Sequence, residues 1–200
     1  MPDALEKFYV AAETFNAQVV HAAYYYELNQ DEVEPILKEN LEVKSDHVMQ
    51  PEGFLINDLI TRLRSAHDIF PTAWLCFCRR DFLLENNIEF LPLISEDNMF
   101  SFALQRYAAR YYILHNLPYV YRKRTGSIMK SKSVDRFSKG IDAMIAGSIY
   151  VGKLLDDLPH FEGYDQWREK ILDEFFTTHL NNHTKPFYED LTAYLSQKLL

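Results

Sequence analysis

The hydrophobic periodicity of the chain changes near residue 133, and this change constrains the fold more than any other feature of the sequence. Before it, runs with helical spacing alternate with short runs rich in Val, Tyr and Ile, which are typical of strands. After it, the pattern is helical to the C-terminus. The sequence therefore predicts an α/β fold over residues 1–132 and a helical C-terminal extension over residues 133–200.

Helical spacing predicts the first element over residues 2–15, with a buried face that contains Leu5, Phe8, Tyr9, Ala12 and Phe15. After it, the sequence predicts a strand over residues 17–28, a polar loop or short helix over 29–53, a helix over 56–70 and a strand over 72–79. A short helix from 80, a helix to about 108 and two short strands over 109–124 follow. The last predicted elements are helices within 134–155, 164–183 and 186–200.

Charge and cysteine content exclude several classes of protein. The net charge of −8 provides no basic field for nucleic acid. No apolar run approaches the roughly 20 residues that cross a bilayer, and the N-terminus reads as a helix rather than a signal peptide. The two cysteines, Cys76 and Cys78, lack partners at zinc-site or disulfide spacing, so we expect packing residues. These features predict a cytoplasmic protein.

Two adjacent carboxylates, Glu96 and Asp97, stand between the apolar run "FLPLI" and an amphipathic helix. With Ser95 as the N-cap, both acids fall in the first helical turn, where the helix dipole stabilises each by about 0.3 to 1 kcal/mol. Capping alone would therefore explain them. The alternative is that the pair includes a general base held over a binding cleft.

A basic segment follows between Tyr121 and Lys139. It carries seven Lys and Arg residues against one acid, in a chain whose net charge is −8. The guanidinium fork of arginine suits the paired oxygens of a phosphate. A carboxylate base with cations for a departing diphosphate is the equipment of a nucleotide-sugar transferase. The alternative is a solvated basic surface, since most charge runs are surface.

Four segments, in order, resemble those of the family 2 glycosyltransferases, which have the GT-A fold. "MPDALEKFYVAAETFNAQVV" resembles the helix and strand that follow the metal-binding D-x-D motif. "TAWLCFCRRDFLLENNIEF" is similar to the segment W-x-K-L-[YF]-x-R-x-F-L-x-x-x-x-I-x-F. "SEDNMFSFAL" resembles the E-D-x-x-F motif, and "LPYVYRKRTGSIM" resembles P-x-Y-x-Y-R-x-R-x-x-S-[IM]. The resemblance covers roughly residues 1–130 and implies a partial GT-A-like fold, a short mixed sheet with flanking helices, which is the acceptor-side portion of such an enzyme.

The resemblance implies an activity and a role for each matched residue. The activity is transfer of a sugar from a nucleotide sugar to a glycan or lipid-linked acceptor hydroxyl, with inversion, as in cell-surface polysaccharide biosynthesis. Asp97 would be the general base, and Glu96 would orient it or contact the acceptor. Arg122 and Arg124 would bind the diphosphate. Trp74 would line the acceptor site, with a core position as an equal alternative.

The donor side of such an enzyme has no counterpart in this sequence. The family fold opens with a nucleotide-binding half and a D-x-D motif that holds Mg²⁺ or Mn²⁺, and neither pattern is found here. We therefore expect no metal ligands in this chain, an N-terminal half or a second copy as its partner, and no sugar transfer by the chain alone. The alternative is a non-catalytic binding or scaffold protein derived from a glycosyltransferase.

Overall fold

The computed structural model of the protein describes residues 3–23, 25–29, 42–44, 52–54, 72–115, 119–123, 134–177 and 181. These residues form a mixed α/β structure, as predicted. The helices are α1 (Ala4–Thr14), α2 (Arg80–Glu85), α3 (Glu96–Tyr107), α4 (Val134–Asp156) and α5 (residues 164–177). The strands are β1 (Val19–Ala22), β2 (Tyr25–Asn29), β3 (Glu42–Lys44), β4 (Gly53–Phe54), β5 (Cys76–Cys78), β6 (Tyr111–Leu114) and β7 (Val120–Lys123).

The chain divides into two compact units. The first comprises Met1–Glu89 and Phe100–Ser127, and the second comprises Phe90–Met99 and Ile128–Leu200. Every strand described belongs to the first unit. The described part of the second unit contains α4, α5 and the segment that leads into α3.

The strands of the first unit form two short sheets. The four-stranded sheet has the order β4-β6-β1-β5, and the three-stranded sheet has the order β3-β2-β7. The parallel pair of β1 and β6 is followed along the chain by the parallel pair of β2 and β7. A residue's partner lies 92 positions further on in the first pair (Val19 with Tyr111) and 94 further on in the second (Tyr26 with Val120). The register of the second parallel pair therefore differs by two residues from that of the first. Side chains from the strand segments on either side of this change lie close together.

Helix α1 covers one face of the four-stranded sheet. Strand residues alternate between the two faces, and Val20 and Ala22 belong to the core cluster together with Phe8 and two alanines of α1. Small alanine side chains let the helix backbone approach the sheet closely. The Phe8 ring stacks on Phe77 of β5, with centroids 5.7 Å apart. All four residues of β1 are buried, as expected for a central strand rich in valine.

The predicted buried face of α1 is wrong at Leu5 and Tyr9. These side chains are 71% and 58% exposed, whereas Phe8 is buried. Successive residues turn by about 100° around a helix axis, so Tyr9 turns away from the sheet when Phe8 faces it. The apolar residues of α1 therefore lie on two surfaces: Phe8 is on the face that packs against the core, and Leu5 and Tyr9 are on an exposed ridge.

Two arginines from outside α1 fix the exit of this helix. Arg79 donates from Nε to the Ala17 carbonyl at 3.0 Å, and Arg110 donates from Nη2 to the Phe15 carbonyl at 2.6 Å. Between these carbonyls, Asn16 has a φ of 45°, in the left-handed region that Asn tolerates better than most residues. Cations at a helix C-terminus satisfy carbonyls that lack intrahelical partners. These contacts set the angle at which the chain enters β1.

The segment over residues 29–53, predicted as a loop or short helix, contains strand residues instead. Glu42–Lys44 pairs with β2, and Gly53–Phe54 pairs with β6. The predicted strand over residues 72–79 is a 3₁₀ turn, Ala73–Leu75, followed by β5. The predicted helices over residues 56–70 and 186–200 lie outside the described residues.

Helices α4 and α5 form most of the described second unit. Tyr164 closes the turn between them by donating its hydroxyl to the Leu155 carbonyl at 2.6 Å, and Arg168 pairs with Asp156 at 2.7 Å. The Asp156 carboxylate, which is next to Asp157 in the sequence, is thus paired with a cation of α5. The Tyr164 ring also lies 5.8 Å from that of Trp167. Aromatic and ionic contacts together fix the pairing of the two helices.

Candidate functional site

The carboxylates Glu96 and Asp97 lie in the first turn of α3, as the sequence predicts. Both side chains are half-buried, while residues 99–105, which follow them, are all buried. A helix buried on every side is part of a core rather than an amphipathic surface element. The two acids therefore stand where a buried helix reaches the surface, which is a suitable position for a group that meets a substrate.

The backbone that leads into this turn is strained. Ser95 has a φ of 59°, in the left-handed region, instead of the extended conformation of an ordinary N-cap. Its carbonyl accepts two bonds from Asn98, one from the main-chain N–H at 3.2 Å and one from the side-chain amide at 3.3 Å. A non-glycine residue in this region costs on the order of 1–3 kcal/mol and is held by its surroundings. The entry into α3 is thus a specifically maintained turn.

The arginines assigned to the diphosphate lie on and after β7. Arg122 is in this strand, where its backbone pairs with Leu28 of β2. Arg124 lies outside the described residues. The approach of either guanidinium group to Asp97 stays a prediction.

Trp74 lies in an aromatic cluster that we define as Tyr25, Trp74, Tyr119 and Tyr121. The Trp74 ring is 5.0 Å from Tyr25, 4.7 Å from Tyr119 and 5.1 Å from Tyr121, measured between centroids. All four side chains are half-buried, and three of them pack against the core cluster of the first unit. The Trp74 ring therefore contacts the core and also reaches the surface, and its role in an acceptor site stays a prediction.

The sequence does not predict that the three tyrosines of this cluster meet at Trp74. Tyr119 and Tyr121 alternate in "PYVY", which predicts only that both side chains share a face of one strand. Their approach to Tyr25 and Trp74 depends on the parallel pairing of β2 with β7, which local periodicity does not reveal. Burial raises the pKa of the Tyr119 hydroxyl, and the neighbouring Tyr121 adds to this effect.

The cysteines are packing residues, as predicted. Cys76 donates its thiol to the Thr72 carbonyl at 3.4 Å. Burial raises the pKa of the Cys78 thiol to about 12, so this thiol stays protonated at neutral pH. Because the thiolate is the reactive form, the thiol of Cys78 is unsuited to nucleophilic or metal chemistry.

Among the described residues, no group of three or more His, Cys, Asp or Glu side chains is placed to hold a metal ion. The described residues therefore do not fit the divalent metal that the resemblance implies for a complete enzyme. The same part of the chain contains no helix that is both long and apolar enough to cross a membrane.

Comparison with known proteins identifies the fold. No protein-family model and no curated protein matches the sequence. Among solved structures, S. aureus TarS 1–349 in complex with UDP-GlcNAc is similar, with a TM-score of 0.57 and 16% sequence identity over 92% of this chain and 45% of that chain. A second structure of S. aureus TarS 1–349 gives a TM-score of 0.52 and 13% identity over 92% of this chain and 43% of that one.

These similarities define a partial glycosyltransferase-like fold: a short mixed sheet, flanking helices and a helical C-terminal part. At such low identity they show the fold alone. The chain spans less than half the length of the TarS chain to which it is similar.

Proposed function

We propose that this chain is the acceptor-side part of a family 2 glycosyltransferase, which transfers a sugar from a nucleotide sugar to an acceptor hydroxyl with inversion. The observation that carries the proposal is the half-buried acid pair at the start of the buried helix α3, within a glycosyltransferase-like fold. The similar TarS chain was solved in complex with UDP-GlcNAc, which supports a nucleotide sugar as the donor.

In the proposed reaction, the carboxylate of Asp97 accepts the proton of the acceptor hydroxyl. The acceptor oxygen then forms a bond to the anomeric carbon of the donor, while the bond from that carbon to the diphosphate breaks. The nucleotide diphosphate leaves with its electron pair. One displacement from the opposite side inverts the anomeric configuration. Glu96 orients Asp97 or the acceptor, and Trp74 lines the acceptor site.

Arg122 and Arg124 are proposed to hold the departing diphosphate. Their fixed forks match its paired oxygens, and cations placed where charge develops stabilise the transition state. The divalent metal of the complete enzyme, Mg²⁺ or Mn²⁺, would require ligands outside the described residues, so no step is assigned to it here. We propose the cytoplasm as the compartment, with which two free cysteines agree.

One observation favours the alternative, a non-catalytic binding or scaffold protein. Leu5, Tyr9 and Val10 of α1 are each more than half exposed and form an apolar ridge. Exposed apolar patches mark interaction surfaces when they are large. A scaffold of this kind needs no Asp97 carboxylate, which separates the two functions experimentally.

The proposal is tested by a sugar-transfer assay of the chain together with a nucleotide-binding half, in one polypeptide or as a second chain, with UDP-GlcNAc and other UDP-sugars, Mg²⁺ or Mn²⁺ and a panel of glycan acceptors. We expect release of UDP that depends on the acceptor, and a product whose anomeric proton shows the inverted configuration by NMR. A product with retained configuration, or no transfer from any nucleotide sugar under these conditions, would contradict the proposal.

A further inference from the structure

We infer that the aromatic cluster of Tyr25, Trp74, Tyr119 and Tyr121 is a stacking site for the apolar face of a neutral sugar ring. This inference deepens the proposed function by assigning the chemical class of the acceptor. It rests on that function for the role of the bound sugar, whereas the binding itself is independent of any catalytic step.

The cluster lies at the junction between the two parallel strand pairs. β1 and β6 run parallel and end at Ala22 and Leu114, and the Ala23 N–H still bonds to the Leu114 carbonyl at 3.0 Å. Tyr25 begins β2 directly after this end, and Tyr119 immediately precedes β7. The carboxyl ends of parallel strands form the crevice where such sheets bind ligands.

The exposure of these rings distinguishes them from the aromatic core of the same unit. Tyr111 and Tyr112 of β6 are 0% and 5% exposed, whereas all four members of the cluster are half-buried. Aliphatic side chains would close the end of a sheet equally well. One indole and three phenols instead supply flat apolar surface together with polar groups at its rim, which is the composition of recognition sites.

The chemistry of the rim favours a sugar over a nucleobase. A phenol hydroxyl both donates and accepts a hydrogen bond and rotates to suit its partner. Three such groups suit the many rotating hydroxyls around a pyranose ring, whose axial C–H groups make one face apolar. A nucleobase edge has a fixed pattern of donors and acceptors and is normally matched by amide or backbone groups.

The test is saturation-transfer NMR on the full chain with three probes: cellobiose, maltose and N,N′-diacetylchitobiose. We expect ring protons of at least one disaccharide to be saturated, with millimolar affinity. Trp74→Ala should weaken this binding about tenfold, which is the loss expected for one aromatic stacking contact. Tyr121→Phe, which keeps the ring and removes only the hydroxyl, should cause a smaller loss.

Two matched variants serve as controls. Tyr9→Ser removes an exposed aromatic side chain of α1, and Trp167→Phe alters the buried tryptophan of the other unit. Neither should change disaccharide binding. If Trp74→Ala fails to fold, the disaccharide affinities of Tyr121→Phe and Tyr9→Ser are compared instead, and the inference requires a loss only in Tyr121→Phe. No saturation of any disaccharide, or equal loss in the controls, overturns the inference. Binding of uridine that is lost with Trp74 would make this a base-stacking site and would also overturn it.

The two proposals fail in different ways. Asp97→Asn should retain disaccharide binding even where transfer is lost, which supports the stacking site independently of catalysis. Disaccharide binding by a wild-type protein that transfers no sugar even with its nucleotide-binding half present would contradict the proposed function and leave the stacking site standing. Sugar transfer without disaccharide binding would contradict the stacking site and leave the proposed function standing.

Discussion

Asp97→Asn is expected to lower the rate of sugar transfer by about 10²–10⁴, the usual contribution of general acid–base catalysis. The substitution keeps the size of the side chain and removes its capacity to accept a proton. Because Asp97 lies in the first turn of α3, the lost helix-dipole interaction should cost about 0.3 to 1 kcal/mol of stability. The measurements are UDP release by the chain together with a nucleotide-binding half, and the midpoint of thermal unfolding of the chain.

Asp135→Asn is the matched control for this substitution. Asp135 also lies in the first turn of a helix of the second unit, and its exposed carboxylate pairs with Lys139 at 2.8 Å. It should lose a similar amount of stability and no activity. Glu96→Gln should lower transfer less than Asp97→Asn. Equal activities for Asp97→Asn and Asp135→Asn would establish that the acid pair only caps α3.

Gly147→Ala is expected to destabilise the second unit, and Gly152→Ala in the same helix to stabilise it. A Cβ at Gly147 would lie 2.9 Å from the Met99 sulfur and 3.2 Å from the Phe175 ring, whereas at Gly152 the nearest atom is 3.4 Å away at the end of the Arg168 side chain. Overpacking costs about 1–3 kcal/mol, while replacing a helical glycine by alanine gains about 1 kcal/mol. The two variants should therefore differ by roughly 2 kcal/mol.

Thermal or urea unfolding of both variants measures this difference. The position is relevant to the candidate site because Met99 is 1% exposed and follows Asp97 by two residues. The Met99 side chain occupies the space that Gly147 leaves open because it has no side chain. This contact holds the start of α3 against α4. If Gly147→Ala is as stable as Gly152→Ala, Met99 is loosely packed and Gly147 does not position the acid pair.

The parts of the fold that sequence predicted are those controlled by local periodicity. Strand β1 follows from "VVHA" and helix α1 from the spacing of Phe8 and Ala12. The first turn of α3 follows from two acids placed before an apolar run. Each of these signals lies within one window of the chain, so no tertiary information is needed to read it.

The parts that sequence did not predict depend on distant partners. The short strand Gly53–Phe54 exists because it pairs with β6, about 60 positions further along the chain. The exposure of Tyr9 depends on which side of α1 the sheet lies. Tyr25 and Trp74 are separated by almost 50 positions and meet only because the start of β5 lies beside the end of β1, to which it is antiparallel. An aromatic cluster assembled in this way has no local signature.

The proposed transfer requires the Asp97 side chain to lie close to the guanidinium group of Arg122, and this proximity can be measured directly. In a background with Cys76→Ser and Cys78→Ala, we would introduce Asp97→Cys and Arg122→Cys and treat the full chain with a bismaleimide linker of about 10 Å, the distance over which exposed charges still interact at 0.1 M salt. Mass spectrometry of the monomer should show one linker joining the two cysteines. Two separately modified cysteines, with no intramolecular link in the folded chain, would place base and arginine too far apart for the proposed transfer.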